Sequence, residues 1–203
     1  MMDEFALAHA AQKGNLDAFN RLVLAYQDVA FNLALRMLSD EHAAEDATQL
    51  AMISAYQNLR SYRGGSFRAW LLRMVANKCY DELRRRQRHP TTSLEPSTHD
   101  DDDAVESPAW LADQNPGPEQ SLEQIELEHA VQHCIDLLPD DFRLVVIMVD
   151  MQECDYQEVS EITGNPMGTV KSRLARARMR LKDCLRHAWE LLPEENRLEG
   201  EVL

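Results

Sequence analysis

A cluster of basic residues near the end of the chain has the residue types and spacing expected for contact with a polyanion. Residues 171–186, KSRLARARMRLKDCLR, contain seven Lys or Arg and one Asp, a local charge of +6 (7 − 1) in a chain of net charge −14. Lys and Arg pair with phosphate oxygens, and Arg can also donate two hydrogen bonds to guanine. A basic helical segment in an acidic protein therefore points to nucleic acid.

The residues around this cluster are typical of a helix-turn-helix. Asp155 followed by Glu158 resembles a capping box at the start of a short helix. Gly164 suits a left-handed turn, Asn165 is a candidate cap for the next helix and Pro166 fits its first position. At about 100° per residue the second helix has one apolar side and one small or polar side. The apolar side is Val170, Leu174, Ala177, Leu181 and Leu185, and the other side is Ser172, Ala175, Arg176 and Met179.

This division predicts a recognition helix that enters the major groove of DNA. Small residues let the helix lie deep, Arg176 is suited to reading a base, and Ser172 and Lys171 could contact bases or phosphates. The flanking cations are Lys171 and Arg178 on one side and Arg173 and Arg180 on the other. A surface helix with solvated cations is the plainer interpretation, but the preceding turn and helix favour DNA binding.

A second basic and aromatic constellation lies in the first half of the chain. Residues 60–67, RSYRGGSF, mix rings, cations and glycines just before a helix, as single-stranded nucleic-acid sites do. The helix that follows carries polar residues on one stripe, and its end is a basic cluster suited to phosphates. The stripe consists of Arg73, Asn77, Tyr80, Asp81 and Arg84. Trp70 and Tyr62 could instead be core and loop packing, and spacing alone does not decide between the two.

These sites must be positioned by helices, because the hydrophobic periodicity predicts an all-α fold. Apolar residues recur at helical spacing before a break at Ser39 and Asp40, and no stretch alternates like a strand. The apolar run 144–149 could be a buried strand, but a helix over 139–152 is favoured by its length. The run is too short to cross a membrane, and the acidic N-terminus lacks the apolar core of a signal peptide. The four cysteines lie far apart without a C-x-x-C pair, which argues against a disulfide framework and suits a reducing cytoplasm.

The predicted organisation is two small helical domains joined by a flexible acidic linker, the second domain containing the helix-turn-helix. The boundaries are 1–88, a linker over 89–120, 121–186 and a tail over 187–203. Residues 89–123 contain nine Asp or Glu, no Lys or Arg and five of the eight prolines, and without them the net charge would be −14 + 9 = −5. The linker could be a solvated spacer or an acidic strip that imitates phosphates. The tail could be a disordered end or a short helix.

Residues 44–88 (AEDATQL…LRRRQR) and 138–181 (LPDDFRL…ARMRL) together resemble the bacterial extracytoplasmic-function sigma factors, two-domain initiation factors of RNA polymerase. The resemblance implies a non-enzymatic cytoplasmic subunit that binds core polymerase, recognises −35 and −10 promoter elements and melts DNA without a cofactor or metal. Its implied partners are the clamp helices of the largest polymerase subunit, the flap of the second-largest subunit, promoter DNA and an anti-sigma factor. The acidic linker would then run through the polymerase towards its active-site cleft.

The resemblance also assigns roles to individual residues. Core-binding positions correspond to Asp46 and Gln49, and the next position, usually Glu in the family, is Leu50 here. The −10 or single-strand contacts correspond to Tyr62, Arg63, Ser66, Phe67, Arg73, Asn77 and Arg84. The −35 contacts correspond to Thr169, Lys171, Ser172, Arg173, Arg176 and Arg178.

Two other classes of function remain open at this point. A one-component helix-turn-helix regulator would use its first half for sensing or dimerisation, but it would not need the basic segment 60–88. A metal-dependent hydrolase could use Glu126, His129 and His133, with Cys134 beside them, on one helix face. No second group of ligands supports that site, and the neighbouring apolar residues already explain the helix.

Overall fold

The computed structural model describes residues 4–88 and 118–187, and the regular elements in these ranges are helical, which confirms the all-α prediction. The first half (residues 4–88) contains α1 (Glu4–Gln12), α2 (Leu16–Leu38), α3 (Glu41–Asn58), a 3-10 turn (Leu59–Ser61) and α4 (Phe67–Arg88). The second half (residues 118–187) contains α5 (Pro118–Asp136), α6 (Asp140–Val146), a π-helical turn (Ile147–Met151), α7 (Tyr156–Thr163) and α8 (Met167–His187). None of these described helices is long and apolar enough to cross a bilayer.

The break predicted between the first long helices is a capped turn. Ser39 ends α2 in a left-handed conformation with φ of 53°. Asp40 then caps α3, because its Oδ1 accepts a hydrogen bond from the Ala43 amide at 2.9 Å. The side chain satisfies an amide that has no partner within the helix. Two polar residues in sequence are therefore enough to end one helix and start the next.

The favoured helical interpretation of residues 139–152 is also confirmed. Pro139 precedes α6, and the segment continues as the π-helical turn up to Met151. Residues 144–148 are almost completely buried, as expected of an element inside the core. Helix α5 begins at Pro118, so the last three residues of the predicted linker are helical. The rest of the linker, including the acidic run 100–103, and residues 188–203 of the tail lie outside the described residues.

The two halves of the chain share one hydrophobic core, an arrangement that the sequence did not predict. Helix α7 packs along α4, while α5, α6 and the π-helical turn contact α2. Buried side chains of both halves form one cluster, which includes Leu33, Leu72 and Val75 from the first half and Leu144, Ile147, Val159 and Val170 from the second. A second cluster, with Leu22, Phe67 and Leu71, joins α1 to α2 and α4. Apolar burial of this kind is the main stabilising contribution to both halves and to their contact.

Two arginines connect the halves through polar contacts. Arg143, on α6, is 8% exposed and donates from Nη1 to the carbonyl oxygen of Met37 at the end of α2, at 2.8 Å. Its Nη2 donates to the carbonyl oxygens of Asp136 and Leu138. Arg68, on α4, donates to Glu158 at 3.1 Å and to the Gln152 carbonyl oxygen at 2.7 Å. Charged donors thus satisfy carbonyl groups at element ends that the core would otherwise leave unpaired.

The expectation that the cysteines are unpaired is wrong for two of them. Cys134 on α5 and Cys184 on α8 form a disulfide across 50 residues of sequence. Cys79 and Cys154 are free and buried. Helices α5 and α8 lie side by side, so residues far apart in sequence meet, which spacing alone could not reveal. In the chain-entropy account, closing a loop of this length stabilises the folded state by about 4 kcal/mol.

We expect Arg143→Met to lower the free energy of unfolding by about 2 kcal/mol, because buried carbonyl oxygens lose a charged donor. Chemical denaturation of the purified chain measures the change. Arg21→Met, at an exposed arginine of α2, is the matched control and should leave stability unchanged. Equal stability of the two variants would show that the cost of burying the Arg143 charge cancels its hydrogen bonds.

Candidate nucleic-acid interface

The helix-turn-helix is formed by α7, a three-residue turn over 164–166, and α8. Asp155 Oδ1 accepts from the Glu158 amide at 2.8 Å, and the Glu158 carboxylate accepts from the Asp155 amide at 3.4 Å, which confirms the capping box. Gly164 has φ of 68°, the left-handed conformation predicted for it. The prediction that Asn165 caps α8 is wrong. Its Nδ2 donates back to the Thr163 carbonyl oxygen at 3.1 Å, and the Pro166 carbonyl oxygen accepts from the Val170 amide.

The two sides predicted for α8 are confirmed by burial. Val170, Leu174 and Ala177 are buried in the shared core, while Leu181 and Leu185 nearer the C-terminus are half-buried. The opposite side is exposed over its whole length and consists of Ser172, Ala175, Arg176 and Met179. Because the apolar side faces the core, the small and polar side must face outward. The small side chains of Ser172 and Ala175 would let this side of the helix lie close to a DNA groove.

The cations of α8 differ in what they already contact. Arg173 pairs with Asp141 at 2.8 Å, and Arg178 donates from Nε to Asp150 at 3.0 Å. The Asp150 carboxylate raises the pKa of Arg178 above its ordinary value. Lys171 lies over the ring of Tyr156, with Nζ 5.4 Å from the ring centroid. Arg176 is exposed and has no hydrogen bond or ion pair within the described part of the chain. Of the three predicted −35 arginines, Arg176 is therefore the one that could bind DNA without first losing an ion pair within the described part of the protein.

The remaining −35 candidates are placed beside Arg176 at the start of α8. Ser172 is exposed, and its hydroxyl donates to the Thr169 carbonyl oxygen at 3.0 Å. Thr169 is half-buried in the first turn of the helix. A hydroxyl that bonds its own helix can still accept a hydrogen bond or donate to a new acceptor after rotation.

The loop between the 3-10 turn and α4 is built around two buried rings. Tyr62 is 6% exposed and Phe67 is completely buried, and their rings meet edge to face at 5.7 Å. The Tyr62 hydroxyl donates to the Gly65 carbonyl oxygen at 2.6 Å, which closes the loop. Neither ring is available to stack on a base in this structure, so the two residues shape the loop rather than expose it. The exposed side chain of the loop is that of Arg63.

Helix α1 holds this loop in place, a role that the sequence analysis missed. Gln12 Nε2 donates to the carbonyl oxygens of Leu59 at 3.0 Å and Tyr62 at 2.7 Å. Glu4 accepts from the Phe67 amide at 3.3 Å and also from the Tyr26 hydroxyl. Ser66 caps α4, since its hydroxyl oxygen accepts from the Ala69 amide at 3.1 Å. The cap at Ser66 is local, but the partners of Gln12 and Glu4 lie 22 to 63 residues away, so no local pattern predicts those contacts.

The polar stripe of α4 is exposed beside the helix-turn-helix. Arg73, Asn77 and Arg84 are exposed, whereas Tyr80 is half-buried with its hydroxyl 3.5 Å from Asp141. A Cβ atom at Gly164 would lie 4.0 Å from Nη2 of Arg73. The turn of the helix-turn-helix is thus adjacent to the predicted −10 stripe. The contact between α4 and α7 thus brings the start of the helix-turn-helix next to one end of that stripe.

The basic end of α4 is partly neutralised by its own carboxylates. Arg85 pairs with Glu82 at 2.7 Å, and Arg86 pairs with Glu82 at 2.9 Å and with Asp40 at 3.1 Å. The hydrogen bond from Arg85 is the largest cause that lowers the pKa of Glu82 to about 2. The interaction therefore persists down to low pH, since the carboxylate stays ionised above that pKa. Fewer cations are free for phosphates than the run of arginines suggests.

A ridge of exposed apolar residues on α3 accompanies the predicted core-binding residues. Asp46 and Gln49 are exposed, and Leu50 is 52% exposed. Ile53 and Tyr56 continue the ridge at 53% and 52% exposure. Their spacing of three residues places them on the same side of the helix. Ile53 and Tyr56 are not among the core-binding residues predicted from the sequence, although their helical spacing from Leu50 could have identified them. The ridge borders an open groove of about 840 Å³ between α3 and α4.

One residue of the alternative metal site is already engaged. Cys134, which the sequence placed beside the histidines, is bonded to Cys184. Among the side chains that the structure describes, which do not include that of Glu126, no group of three or more His, Cys, Asp or Glu is arranged to hold a metal ion.

Comparison with known families accounts for both halves of the chain. Residues 22–89 match Sigma-70 region 2, and residues 128–181 match Sigma-70 region 4. Sigma factor SigW of Bacillus subtilis is 34% identical over 176 residues, covering 86% of this chain and 92% of that protein. The chain belongs to the extracytoplasmic-function sigma factors. It is thus a promoter-recognising sigma factor, and region 2 occupies the half that a one-component regulator would use for sensing.

Other similar proteins agree with this assignment. RNA polymerase sigma-H factor of Pseudomonas aeruginosa is 33% identical over 180 residues, covering 88% of this chain and 92% of that protein. SigE of Mycolicibacterium smegmatis is 34% identical over 84% of this chain, which spans 62% of that longer protein. Two solved structures share the fold at 23% identity. They are CnrH with the cytosolic domain of CnrY (TM-score 0.64, covering 90% of this chain and 96% of that chain) and RpoE with the anti-sigma factor NepR of Bartonella quintana (TM-score 0.61, 83% and 96%).

The glycines that flank the turn should respond to substitution in opposite directions. Gly164→Ala should lower the free energy of unfolding by about 1 kcal/mol, because a Cβ is strained at positive φ. Gly168→Ala should raise it by about 0.5–1 kcal/mol, because Gly168 lies within α8 and no atom lies within 4 Å of its added Cβ. Thermal unfolding of the two variants tests both signs. A stabilising Gly164→Ala would contradict the left-handed turn.

Proposed function

We propose that α8 reads the −35 element through its exposed side, with Arg176 contacting a base. The observation that carries this proposal is the exposed and unengaged guanidinium of Arg176 in the middle of a small, polar helix side. Ser172 lies one turn earlier than Arg176 and Thr169 two turns earlier, towards the N-terminal end by which a recognition helix contacts bases. Arg173 and Arg178 first have to exchange their carboxylate partners for phosphates. They would therefore help to position the protein on the DNA more than they would help to select its sequence.

We further propose that α4 contacts the melted −10 strand through Arg73 and Asn77. Both side chains are exposed on one stripe, and Asn can pair with a base edge. Arg63 at the loop and Arg84 near the end of α4 extend this stripe with positive charge. Tyr62, Ser66 and Phe67 would act by fixing the shape of the loop. Melting then comes from binding energy, with bases held in recesses rather than by a catalytic group.

The ridge of α3 is proposed to bind the clamp helices of the largest polymerase subunit. Asp46 and Gln49 offer polar contacts beside the apolar side chains of Leu50, Ile53 and Tyr56. A helix packing against this ridge would bury apolar surface that is now exposed, which favours association. Leu50 in place of the usual acid makes this contact more apolar. The second half would bind the flap of the second-largest subunit.

Promoter binding requires the two halves to separate. The −35 and −10 elements are about two helical turns apart in this family, or roughly 70 Å of B-DNA. Helix α7 contacts α4 and packs against α8, so the DNA-contacting sides proposed for α4 and α8 cannot span that distance together. The described arrangement is therefore a closed form of the protein. Core polymerase would favour the open form by binding the halves at separate places.

We also propose a protein partner and a cellular location for this chain. One structural neighbour is the sigma factor RpoE in complex with the anti-sigma factor NepR, and another is CnrH in complex with the cytosolic domain of CnrY. From these complexes we infer an anti-sigma partner for this chain. We also infer that the chain works in the cytoplasm, where polymerase and DNA are, and that it has no catalytic residue or cofactor. Catalysis belongs to the polymerase in this account. The acidic linker would pass through the basic channels of that enzyme.

We expect Arg176→Ala to weaken recognition at one −35 position by about 1–3 kcal/mol, because one guanidinium reads one base pair. Holoenzyme binding to a set of promoters that differ at single −35 positions measures the effect. Lys182→Ala, at an exposed cation of the same helix, is the control and should not change specificity. A uniform loss across all promoters would identify Arg176 as a phosphate contact.

We expect Asn77→Ala to impair transcription from duplex promoters at least about tenfold more than from pre-melted promoters, because a pre-melted template does not need base capture to open. In vitro transcription with core polymerase on both templates gives the ratio. Asn20→Ala, at an exposed asparagine of α2, is the control. Equal defects on the two templates would contradict a role of Asn77 in melting.

A further inference from the structure

The four cysteines of this chain fall into two chemically different pairs. Cys134 and Cys184 are bonded to each other, whereas Cys79 and Cys154 are free and buried in the core. Burial raises the pKa of Cys79 to about 12 and raises that of Cys154 above its ordinary value. Because the thiolate is the reactive form of cysteine, the two free thiols are unreactive at neutral pH. Thiol–disulfide chemistry is thereby restricted to Cys134 and Cys184.

One residue of the bonded pair is more exposed than the other. Cys184 lies in the last turns of α8 and is half-buried, while Cys134 is 3% exposed. A small oxidant or reductant would therefore react first at Cys184. Cys134 would then complete the exchange from the protected side.

The bridge lies where apolar packing of α8 becomes weaker. Val170, Leu174 and Ala177 are buried, but the next apolar residues, Leu181 and Leu185, are only half-buried. The end of α8 is thus attached to α5 by less apolar surface than its beginning is attached to the core. Without the bridge, the contact between α5 and the end of α8 would depend on these half-buried side chains.

Helix α5 also connects to the first half of the protein next to the bridge. Gln132 and Arg36 exchange two hydrogen bonds, with Arg36 Nη1 donating to Gln132 Oε1 at 2.9 Å and Gln132 Nε2 donating to the Arg36 carbonyl oxygen at 3.2 Å. The Ser39 hydroxyl donates to Asp136 at 2.6 Å. Cys134 lies between Gln132 and Asp136 on the chain. The bridge therefore fixes the helix that presents these two side chains to α2.

We propose that Cys134 and Cys184 are a reversible redox site, oxidised by a hydroperoxide, whose bridge holds α5 against α2 and favours the closed form. The two thiols lose their protons and form the S–S bond, while the O–O bond of the hydroperoxide breaks to give an alcohol, or water from hydrogen peroxide, and one water. A dithiol reverses the step and is itself oxidised to a disulfide. Cytoplasmic thiols are normally kept reduced, so the bridge forms under oxidising conditions. The effect on promoter activity rests on the proposed function, but the redox chemistry does not.

The test compares the full-length wild-type chain after treatment with hydrogen peroxide and after treatment with dithiothreitol. The oxidised chain should have two free thiols after denaturation and the reduced chain four, with a mass difference of about 2 Da for two hydrogens. Amide exchange measured by mass spectrometry in residues 129–137 and 32–39 should be at least about tenfold slower in the oxidised chain. Transcription with core polymerase should be at least about fivefold lower from the oxidised chain and should recover on reduction.

Variants assign these effects to the bridge. Cys184→Ser should remove the difference between the two treatments in every measurement, while Cys154→Ala should retain it. Four thiols after peroxide treatment, or equal exchange rates in both forms of the wild type, would overturn the redox site. Equal transcription by both forms would overturn its effect on the closed form. If neither form gave promoter-specific transcription, the proposed function would be contradicted. The redox site would still be tested by the thiol count and by amide exchange, which do not depend on transcription.

Discussion

The burial of one apolar side of each helix in a core shared by both halves constrains the rest of this structure. Val170 and Leu174 of α8 and Val159 of α7 lie in the same cluster as Leu72 and Val75 of α4. A helix whose apolar side is buried has no freedom to rotate about its axis, since rotation would expose that side to water. The exposed sides of α4 and α8 are therefore set by their buried sides. The candidate DNA-contacting surfaces are therefore a consequence of packing as much as of charge.

The same constraint separates structural arginines from those available to a ligand. Arg143 and Arg68 satisfy carbonyl and carboxylate groups at the contact between the halves. Arg86 stabilises the junction of α2, α3 and α4 through Leu38 and Asp40. Arg176 is exposed on a side without such partners. One residue type thus serves as a structural connector in the core contact and stays available for a ligand on the surface, because the surroundings decide which groups a guanidinium can reach.

The closed form has two kinds of support with different chemistry. The apolar core and the arginine contacts can be replaced by contacts with a partner that binds the two halves separately, such as core polymerase. The bridge between α5 and α8 responds to the redox state of its surroundings and acts on α5 close to its contacts with α2. A protein whose two DNA-contacting halves must separate can thus be held closed without covering Arg176 or Asn77. Both side chains stay exposed while the distance between the halves remains too short for a promoter.

Many features of this structure could be predicted from short stretches of sequence. The break at Ser39, the capping box of α7, the turn at Gly164 and the two sides of α8 follow from residues within a few positions of one another, because helices are stabilised by local contacts and side-chain periodicity. The family and the general locations of the candidate contacts followed from two motifs in order. These features need only neighbouring residues, so the sequence by itself determined them.

Contacts between residues far apart in the sequence were decided by the tertiary structure alone. It paired Cys134 with Cys184, buried Tyr62 and Phe67 beneath α1, engaged Arg173 and Arg178 with carboxylates, and packed the two halves into one core. Each outcome brings together residues tens of positions apart, and no periodicity encodes which distant surface a given side will meet. Complementary shape and the satisfaction of buried polar groups select that surface, and both exist only once the helices have packed.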